Sequence, residues 1–363
     1  MKPSIAFRVD SGGKIGTGHV MRCLTLARAL RDSGAESLFI CRPTELSCEH
    51  LITKAGFPVA QLPQGHGLNT EGSHLMHGDF LASSQAEDAL ACVDILRINK
   101  EVRIIIADHY GIYRPWDEII APHVKIFKID DIADREHLCQ GLLDQNFYET
   151  MASRYTHLIP KGCVSLLGPK YALLRPQFWD LNLKSRGVSS KASRVLVSFG
   201  GHDPSRYCAK IAQSLLEATD LTVMIMSAAG PDHDKKWSPL LSKFPDRLEL
   251  LGYLSDPLPA LQLADLYVGA GGTITWERFA CGLPGIVYSI AENQVQMARD
   301  LEAAGFQDYA GDISKFSESS LLTLISAILE TNRLGVLANK IRGEVDGLGA
   351  KRVIEGWNLL SLR

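Results

Sequence analysis

The chain has 363 residues, of which 46% are hydrophobic and 22% are charged, and its formal net charge is −3. A chain of this length is longer than most domains with a single hydrophobic core, so it predicts two domains of ordinary size. The charge balance argues against a nucleic-acid partner, and no apolar run approaches the roughly 18 residues that span a bilayer.

Short apolar runs alternate with amphipathic stretches in the first half of the chain. The runs predict strands at 4–9, 37–41, 59–62, 102–107, 124–129 and 141–143. The apolar spacing predicts helices at 20–33, 45–55, 85–99 and 116–121. Short strands that alternate with helices favour an α/β fold with a doubly wound parallel sheet.

A glycine-rich loop joins the first predicted strand to the first predicted helix, and it includes Gly16, Gly18 and His19. Loop N–H groups and the helix dipole favour an anion at such a junction, and the glycines allow close backbone approach. His19 is the side chain at the mouth of the loop that is suited to take a proton. The loop matches neither the dinucleotide fingerprint nor the P-loop, so a purely structural turn is the alternative.

Residues 64–84 break the alternation of strands and helices. They contain His66, His74 and His77 without regular ligand spacing, so we expect a surface insertion or lid with solvated histidines rather than a metal site. A polar segment rich in Gly, Ser and Lys at 181–193 is interpreted as an interdomain linker.

The alternation restarts after this linker. It predicts strands at 194–199, 221–226, 248–251, 266–269 and 285–290, and helices at 207–218, 257–264, 275–281 and 294–304. The segment 342–360 could be a helix that crosses back over the junction between the two predicted domains. We therefore expect an N-terminal domain at 1–180, a C-terminal domain at 194–341 and a final segment at 342–363.

Two loops in the C-terminal half resemble the first glycine loop, because each is rich in glycine and follows a predicted strand. One follows a strand and contains Gly200 and Gly201, at the kind of strand end where open α/β sheets bind ligands. The other contains Gly271, Gly272 and Thr273, whose free N–H groups would suit a diphosphate.

Three polar side chains follow these glycines. Glu277, one turn into the next helix, could accept two hydrogen bonds from a ribose diol, or could be a mere charge at a helix N-terminus. The amides of Asn293 and Gln294 could hold a sugar, and helix capping by Asn293 is the alternative of equal weight.

The remaining polar features predict an intracellular protein without a metal. Eight cysteines are scattered without a C-x-x-C pattern, which indicates free, mostly buried thiols in a reducing cytoplasm and no zinc site. The apolar run near the N-terminus is too short for a signal peptide. Asp232-His-Asp234 lies among lysines and predicts a solvated turn. We expect a cytoplasmic monomer that needs no cofactor.

Taken together, these segments resemble the UDP-2,4-diacetamido-2,4,6-trideoxy-β-L-altropyranose hydrolases of pseudaminic acid biosynthesis. Besides the glycine and Asn-Gln loops, the motifs that carry the resemblance are Arg8-x-Asp10, Ile15-Gly-Thr-Gly-His-Val-Met-Arg-Cys-Leu24, Asp108-His-Tyr110, Ile129-Asp-Asp-Ile-Ala-Asp-Arg135, Leu143-Asp-Gln-Asn146 and Leu167-Gly-Pro-Lys-Tyr-Ala-Leu-Leu-Arg-Pro176. They occur in order from residue 5 to about residue 310. The segment 64–84 and the region beyond 310 match less well.

The resemblance implies the GT-B architecture shared with MurG-type glycosyltransferases, in which two Rossmann-like domains with parallel sheets face a central cleft. It implies that His19 is the catalytic base, Glu277 the ribose-binding carboxylate and Asn293 a residue near the sugar. The substrate-binding candidates are Asp10, Gly16, Gly18, Arg22, Tyr110, Asn293 and Gln294. The UDP-binding candidates are Gly200, Gly201, Tyr253, Leu254, Gly271, Gly272, Thr273 and Glu277.

The implied activity is metal-independent hydrolysis of the UDP-sugar, with attack of water at C1 and inversion, and release of UDP and 2,4-diacetamido-2,4,6-trideoxy-L-altrose. The pocket for such a sugar should combine amide partners with an apolar wall. A GT-B glycosyltransferase that passes the sugar to an acceptor is the alternative enzyme. A non-catalytic protein that binds a nucleotide-sugar is a weaker third interpretation.

Overall fold

The structure is a computed structural model that divides into two compact units. Unit 1 comprises Met1–Asn146, Thr150–Pro176 and Leu348–Arg363, and unit 2 comprises Phe147–Glu149 and Gln177–Gly347. The residues that the structure describes are 2–12, 15–44, 47–65, 74–179, 181, 192–200, 207–227 and 233–361.

The sheet of unit 1 is parallel in every strand pair. In chain order its strands are β1 (Ser4–Val9), β2 (Glu36–Cys41), β3 (Val59–Gln61), β4 (Val102–Asp108), β5 (Lys125–Ile129), β6 (Gly141–Asp144) and β7 (Val164–Leu167). They pair in the order β3-β2-β1-β4-β5-β6-β7. All six residues of β1 are buried, as in a sheet with both faces covered.

Helices cover the sheet of unit 1. The first four are α1 (Gly18–Asp32), α2 (Glu49–Lys54), α3 (Gln85–Ile98) and α4 (Arg114–Ile120). A capping box begins α3, in which the Glu87 N–H donates to the Ser84 hydroxyl over 3.1 Å and the Ser84 N–H donates to the Glu87 carboxylate over 3.0 Å. Such a cap stabilises a helix by about 1 kcal/mol.

Unit 2 has a second parallel sheet. Its strands are β8 (Arg194–Ser198), β9 (Thr222–Ile225), β10 (Leu248–Leu250), β11 (Leu266–Ala270), β12 (Gly285–Ser289) and β13 (Asp308–Asp312), which pair in the order β10-β9-β8-β11-β12-β13. Its helices are α5 (Tyr207–Ala218), α6 (His233–Lys243), α7 (Leu258–Leu263), α8 (Thr273–Ala280), α9 (Val295–Ala303), α10 (Glu318–Glu330) and α11 (Arg333–Ile341). The predicted α/β class with parallel sheets is therefore confirmed.

The last helix, α12 (Gly349–Gly356), belongs to unit 1 and is shorter than the helix predicted at 342–360. It is followed by Trp357, whose indole N–H donates to the Val164 carbonyl over 3.2 Å. The Trp357 ring also packs on Phe127, with 4.8 Å between ring centroids. These contacts attach the end of the chain to β5 and β7.

Several elements were not anticipated. The strands β7 and β13 and the helices α6, α10 and α11 have no predicted counterpart, and α6 replaces the solvated turn that was expected around Asp234. Asp232 and most of the predicted linker lie outside the described residues. Seven cysteines are buried, Cys163 is half-buried and all eight are free, as predicted.

In the described ranges, no single helix is long and apolar enough to cross a bilayer. Only α10 and α11 together have sufficient length and apolar composition, and this pair is bent by 87°.

Candidate active site

Acidic residues stand at the carboxyl ends of four neighbouring strands in unit 1. Asp10 follows β1, Asp108 ends β4, Asp131 follows β5 and Asp144 ends β6. The strands are parallel, so these ends share one edge of the sheet. The strand order reverses between β1 and β4, which is the position where open α/β sheets bind ligands.

His19, in the first turn of α1, lies at this point of reversal. Its Nδ1 is 2.6 Å from a carboxylate oxygen of Asp108. Arg22, one turn further along α1, donates from Nε and Nη2 to both oxygens of the same carboxylate, each over 2.6 Å. All three side chains are buried. The carboxylate is therefore held by a bidentate contact with the arginine, and one of its oxygens faces the imidazole.

The charge on Asp108 determines which nitrogen of His19 carries hydrogen. Burial alone raises the pKa of Asp108, but the charge of Arg22 and the interactions with His19 outweigh it and hold that pKa well below its usual range. An ionised carboxylate only accepts hydrogen bonds, so we assign the hydrogen to Nδ1 of His19. Its Nε2 then carries a lone pair that can accept a proton.

Arg22 connects this pair to a second carboxylate. It donates from Nη1 to Asp131 over 2.8 Å, and its charge outweighs burial and lowers the pKa of Asp131. Burial and the charge of Asp131 raise the pKa of Tyr110 well above its usual value, so the phenol is neutral and donates to Asp131. The Tyr110 ring meets His19 edge-on, at 4.4 Å between centroids.

The glycine loop places the first turn of α1 beside these groups. Gly16 has a φ of +76°, a left-handed conformation that favours glycine, and its N–H donates to the Gly12 carbonyl over 2.7 Å. Helix α1 begins at Gly18, Thr17 gives no side-chain cap, and the first turn contains no acidic residue. Its first N–H groups lack intrahelical partners, which favours an anion there.

Asp10 has protein partners at both oxygens. One oxygen accepts from the Arg8 guanidinium over 2.5 Å and from the Arg42 N–H over 2.7 Å. The other accepts from Arg8 over 2.9 Å and lies 3.1 Å from Nε2 of His109. Burial raises the pKa of Asp10, but Arg8 and His109 together hold it well below its usual range. This saturated carboxylate is better suited to support the site than to contact substrate.

A buried ion cluster lies behind Asp10. Arg8 donates to both oxygens of Asp88 over 3.0 and 2.7 Å, and Arg42 donates to Asp88 over 2.7 Å. The indole N–H of Trp116 donates to Asp88 over 2.9 Å. Two arginines thus face two carboxylates in a fully buried, charge-balanced group, and this fixes the ends of β1, β2 and α3 around the site.

The predicted glycine loops of unit 2 also lie at strand ends. Gly200 follows β8, Gly271 follows β11 and Ile290 follows β12, and these three strands are neighbours in the sheet. Gly200 has a φ of +84°. Gly201 lies outside the described residues. Tyr253 follows β10, two strands from β8, and its side chain is 67% exposed, whereas the neighbouring Leu254 is half-buried.

One predicted diphosphate donor is wrong. The N–H of Gly271 donates to the Tyr288 carbonyl over 3.1 Å, because this part of the loop still belongs to the β11–β12 ladder. Gly272 precedes α8 with a φ of +128° and gives no side-chain cap, and the N–H groups of Thr273 and Ile274 come too early to have a partner within the helix, whereas that of Thr275 donates to the Gly272 carbonyl over 2.9 Å. Glu277, one turn into α8, is buried.

The predicted amide pair lies beside this helix. Gln294 accepts from the Ile290 N–H over 3.0 Å, and its Nε2 would lie 3.9 Å from a Cβ placed on Gly272. Asn293 is half-buried in a 3₁₀ turn, Glu292–Gln294, and Gln294 is the residue before α9. Helix capping by Asn293 is therefore wrong, because the helix begins one residue later than that role requires.

The predicted insertion is partly wrong as well. His77 is half-buried and stacks on Tyr110, with 5.5 Å between centroids, so it is not simply solvated. His74 is exposed, and His66 lies outside the described residues. No group of three or more His, Cys, Asp or Glu side chains in the described ranges is placed to hold a metal ion.

Sequence reasoning assigned no role to Asp108, Asp131, Asp88 or Arg42. Asp108 and Asp131 do carry a local signal, since each stands at the end of an apolar strand run. Arg42 carries the same signal, because it directly follows the predicted strand at 37–41. Asp88 carries none, because a charged residue in an amphipathic stretch is most often solvated. The partners of both side chains are contributed by distant parts of the chain.

Comparison with known proteins gives a relative whose name states an activity. No protein-family model matches the chain. A Campylobacter jejuni protein named UDP-2,4-diacetamido-2,4,6-trideoxy-beta-L-altropyranose hydrolase is 29% identical over 233 residues, which are 64% of this chain and 72% of the relative.

Solved structures reveal the fold family. MurG from Acinetobacter baumannii has a TM-score of 0.71 and 14% identity, and the likeness covers 100% of both chains. Arabidopsis thaliana UGT89C1 in complex with UDP has a TM-score of 0.67 and 14% identity, over 98% of this chain and 100% of that one. The two parallel-sheet α/β units therefore have the fold of GT-B glycosyltransferase structures, as predicted.

Proposed function

We propose that the chain is a UDP-sugar hydrolase that acts on UDP-2,4-diacetamido-2,4,6-trideoxy-β-L-altropyranose. The observation that carries the proposal is the buried pair of His19 and Asp108, which leaves Nε2 of His19 able to accept a proton. The name of the 29%-identical relative supports the choice of substrate.

In the proposed reaction His19 removes a proton from a water molecule through Nε2. The water oxygen bonds to C1 of the sugar, the bond between C1 and the phosphate oxygen breaks with inversion, and UDP leaves with the electron pair. Asp108 stabilises the imidazolium that forms, as the carboxylate of a hydrolase triad does. The N–H groups that begin at Thr273 stabilise the charge on the diphosphate, and Glu277 accepts hydrogen bonds from the ribose.

A glycosyltransferase is the second candidate, and the GT-B fold favours it. His19 would then deprotonate an acceptor hydroxyl instead of water. Incubation of the UDP-sugar with the protein alone separates the two, because only a hydrolase releases equal amounts of free sugar and UDP without an acceptor. We expect release at the same rate in EDTA, with the product anomer followed by NMR. Tight binding without turnover would instead indicate a non-catalytic binding protein.

The role of His19 is tested by His19→Ala, with the exposed His123→Ala as the matched control. Loss of a general base reduces kcat by about 10²–10⁴-fold. Near-normal kcat in His19→Ala would refute the proposed base, and loss of activity in EDTA would indicate a metal.

The choice of sugar is tested separately. A site built for polar substrate groups rejects analogues that lack them by up to about 10⁴-fold, so we expect UDP-GlcNAc to be a very poor substrate. Equal kcat/KM for UDP-GlcNAc and the altro-configured diacetamido sugar would leave hydrolysis standing and overturn the substrate assignment.

A further inference from the structure

We infer that Phe80, His77 and Tyr110 form an aromatic wall that contacts the sugar of the substrate and favours 6-deoxyhexoses, an inference that rests on the proposed function. Neither Phe80 nor His77 belongs to the motifs that carry the resemblance. Both lie at 74–84, the last part of the segment 64–84 that interrupts the alternation of strands and helices.

The three rings form a compact cluster, and Tyr110 is the member that contacts His19. The centroids of Phe80 and His77 are 4.7 Å apart with 26° between the ring planes, and those of His77 and Tyr110 are 5.5 Å apart with 24°. Tyr110 in turn meets the ring of His19 at 4.4 Å and 82°. The centroids of Phe80 and Tyr110 are 6.5 Å apart with 37° between the ring planes, so the three rings form a triangle beside the proposed base, and all three wall residues are half-buried.

The backbone of the segment is held in place immediately before His77. The Met76 N–H donates to Asp134 over 2.8 Å, and the buried Arg135 donates to the Met76 carbonyl over 2.5 Å. His77 itself has a φ of +58°, an uncommon conformation for a residue with a side chain, which persists only where the surroundings hold it.

The other end of the segment is anchored by packing. Leu81 is fully buried, and a Cβ on Gly111 would lie only 2.7 Å from it, so Gly111 makes room for Leu81 immediately after Tyr110. Because both ends are fixed, the position of His77 relative to Tyr110 is part of the fold.

The chemistry of the wall suits an apolar part of a sugar. Burial lowers the pKa of His77, and together with the charges of Arg135 and His19 it outweighs the opposing charges of Asp79 and Asp134, so this ring is mainly neutral at pH 7. A neutral imidazole in contact with two aromatic rings adds to an apolar surface that attracts C–H groups rather than anions. A 6-deoxyhexose offers a C6 methyl group, whereas an ordinary hexose would have to desolvate a hydroxyl there.

The test compares His77→Ala, His77→Phe and the control His74→Ala, which alters an exposed histidine of the same segment. For the diacetamido 6-deoxy substrate we expect His77→Ala to raise KM about 3- to 10-fold, the range of one aromatic contact, with kcat within about twofold. His77→Phe should restore KM because it restores the wall. The inhibition constant of UDP should be the same in all four proteins.

Three results would overturn the inference. The first is an unchanged KM in His77→Ala with an unchanged melting temperature. The second is a fall in kcat that His77→Phe does not rescue, which would make His77 a proton donor or acceptor. The third is an equal rise in KM for His74→Ala.

The proposed function itself is tested by a different measurement, the release of sugar by the wild-type protein. If the wild-type protein releases no sugar, hydrolysis is refuted, and the wall is then tested by saturation-transfer NMR on the bound UDP-sugar. We expect saturation of the C6 methyl protons in the wild-type protein and its loss in His77→Ala. Equal saturation in both proteins would overturn the wall.

Discussion

The Asp108 carboxylate lies 2.6 Å from Nδ1 of His19 and accepts two hydrogen bonds from Arg22 at the same distance. The arginine prevents the carboxylate from turning, so the imidazole has a single orientation. The hydrogen on Nδ1 and the lone pair on Nε2 both follow from this arrangement. The most direct consequences concern the Asp108 side chain.

Asp108→Asn keeps the shape of the side chain but removes its charge. The amide can donate to Nδ1, which would place the hydrogen on Nε2 and remove the lone pair that accepts the proton. We expect kcat to fall about 10²–10⁴-fold with the affinity for UDP unchanged, measured by steady-state kinetics and calorimetry. Asp94→Asn, whose side chain is 73% exposed on α3, is the control. Equal kcat in the two variants would contradict the assigned tautomer.

Asp88→Ala should destabilise the protein. It removes an acceptor from Arg8, Arg42 and Trp116 and leaves buried positive charge without compensation. Breaking a buried pair in this way costs about 3–5 kcal/mol of the free energy of unfolding, measured by calorimetry. The surface variant Asp94→Ala should cost less than about 1 kcal/mol. Similar losses in the two would mean that the cluster contributes no more than a surface pair.

Asp144 should make stability depend on pH in the direction opposite to most carboxyl groups. Burial and then the charge of Asp131 raise its pKa to about 8, against about 3.9 in the unfolded chain. The folded protein therefore holds one more proton between about pH 4 and pH 8. The contribution to stability is present below pH 4 and is lost as the pH rises through about 8, at no more than about 1.4 kcal/mol per pH unit.

Asp144→Asn removes this titration. The melting temperature of the variant minus that of the wild type should therefore increase from pH 5 to pH 8. A difference that stays flat across this range, as expected for Asp94→Asn, would show that Asp144 is ionised in the folded protein throughout.

Glu277→Gln tests the proposed nucleotide site. Hydrogen bonds to a charged group contribute about 1.5–3 kcal/mol, so loss of the charge should weaken UDP binding about 10- to 100-fold, measured by calorimetry. Glu292→Gln, an exposed carboxylate close to Asn293, is the matched control. An unchanged Kd for UDP in a Glu277→Gln protein with normal melting temperature would remove Glu277 from the site.

Long apolar runs predict strand bounds closely. β1 has the predicted bounds and is buried throughout, and β4, which is buried except at Arg103, extends one residue beyond its predicted end. α6 was missed because Pro239 and its lysines are typical of a turn, whereas the helix contains this proline. Such a helix depends on the packing of the unit around it, which no local window contains.

The site likewise contains some residues that the local sequence identifies and others that only the fold brings together. Gly16 and His19 were identified because a strand, a glycine loop and a helix start are adjacent in sequence. Asp108 is 89 residues from His19, and the two meet only because β4 pairs with β1. The contact of His77 with Tyr110 likewise depends on how Leu81 packs beside Gly111. Residues that are brought together by the order of strands in the sheet cannot be identified from their spacing along the sequence.

The return of the chain to unit 1 at Leu348 affects how the protein folds as it is made. The region between Gln177 and Gly347 is synthesised after the β strands of unit 1 and before α12. Since domains form in the order in which they leave the ribosome, unit 2 can complete its core while β7 still lacks the contact with Trp357. Unit 1 begins first and finishes last, so the Val164 carbonyl does not receive its hydrogen bond from Trp357 until unit 2 has been synthesised.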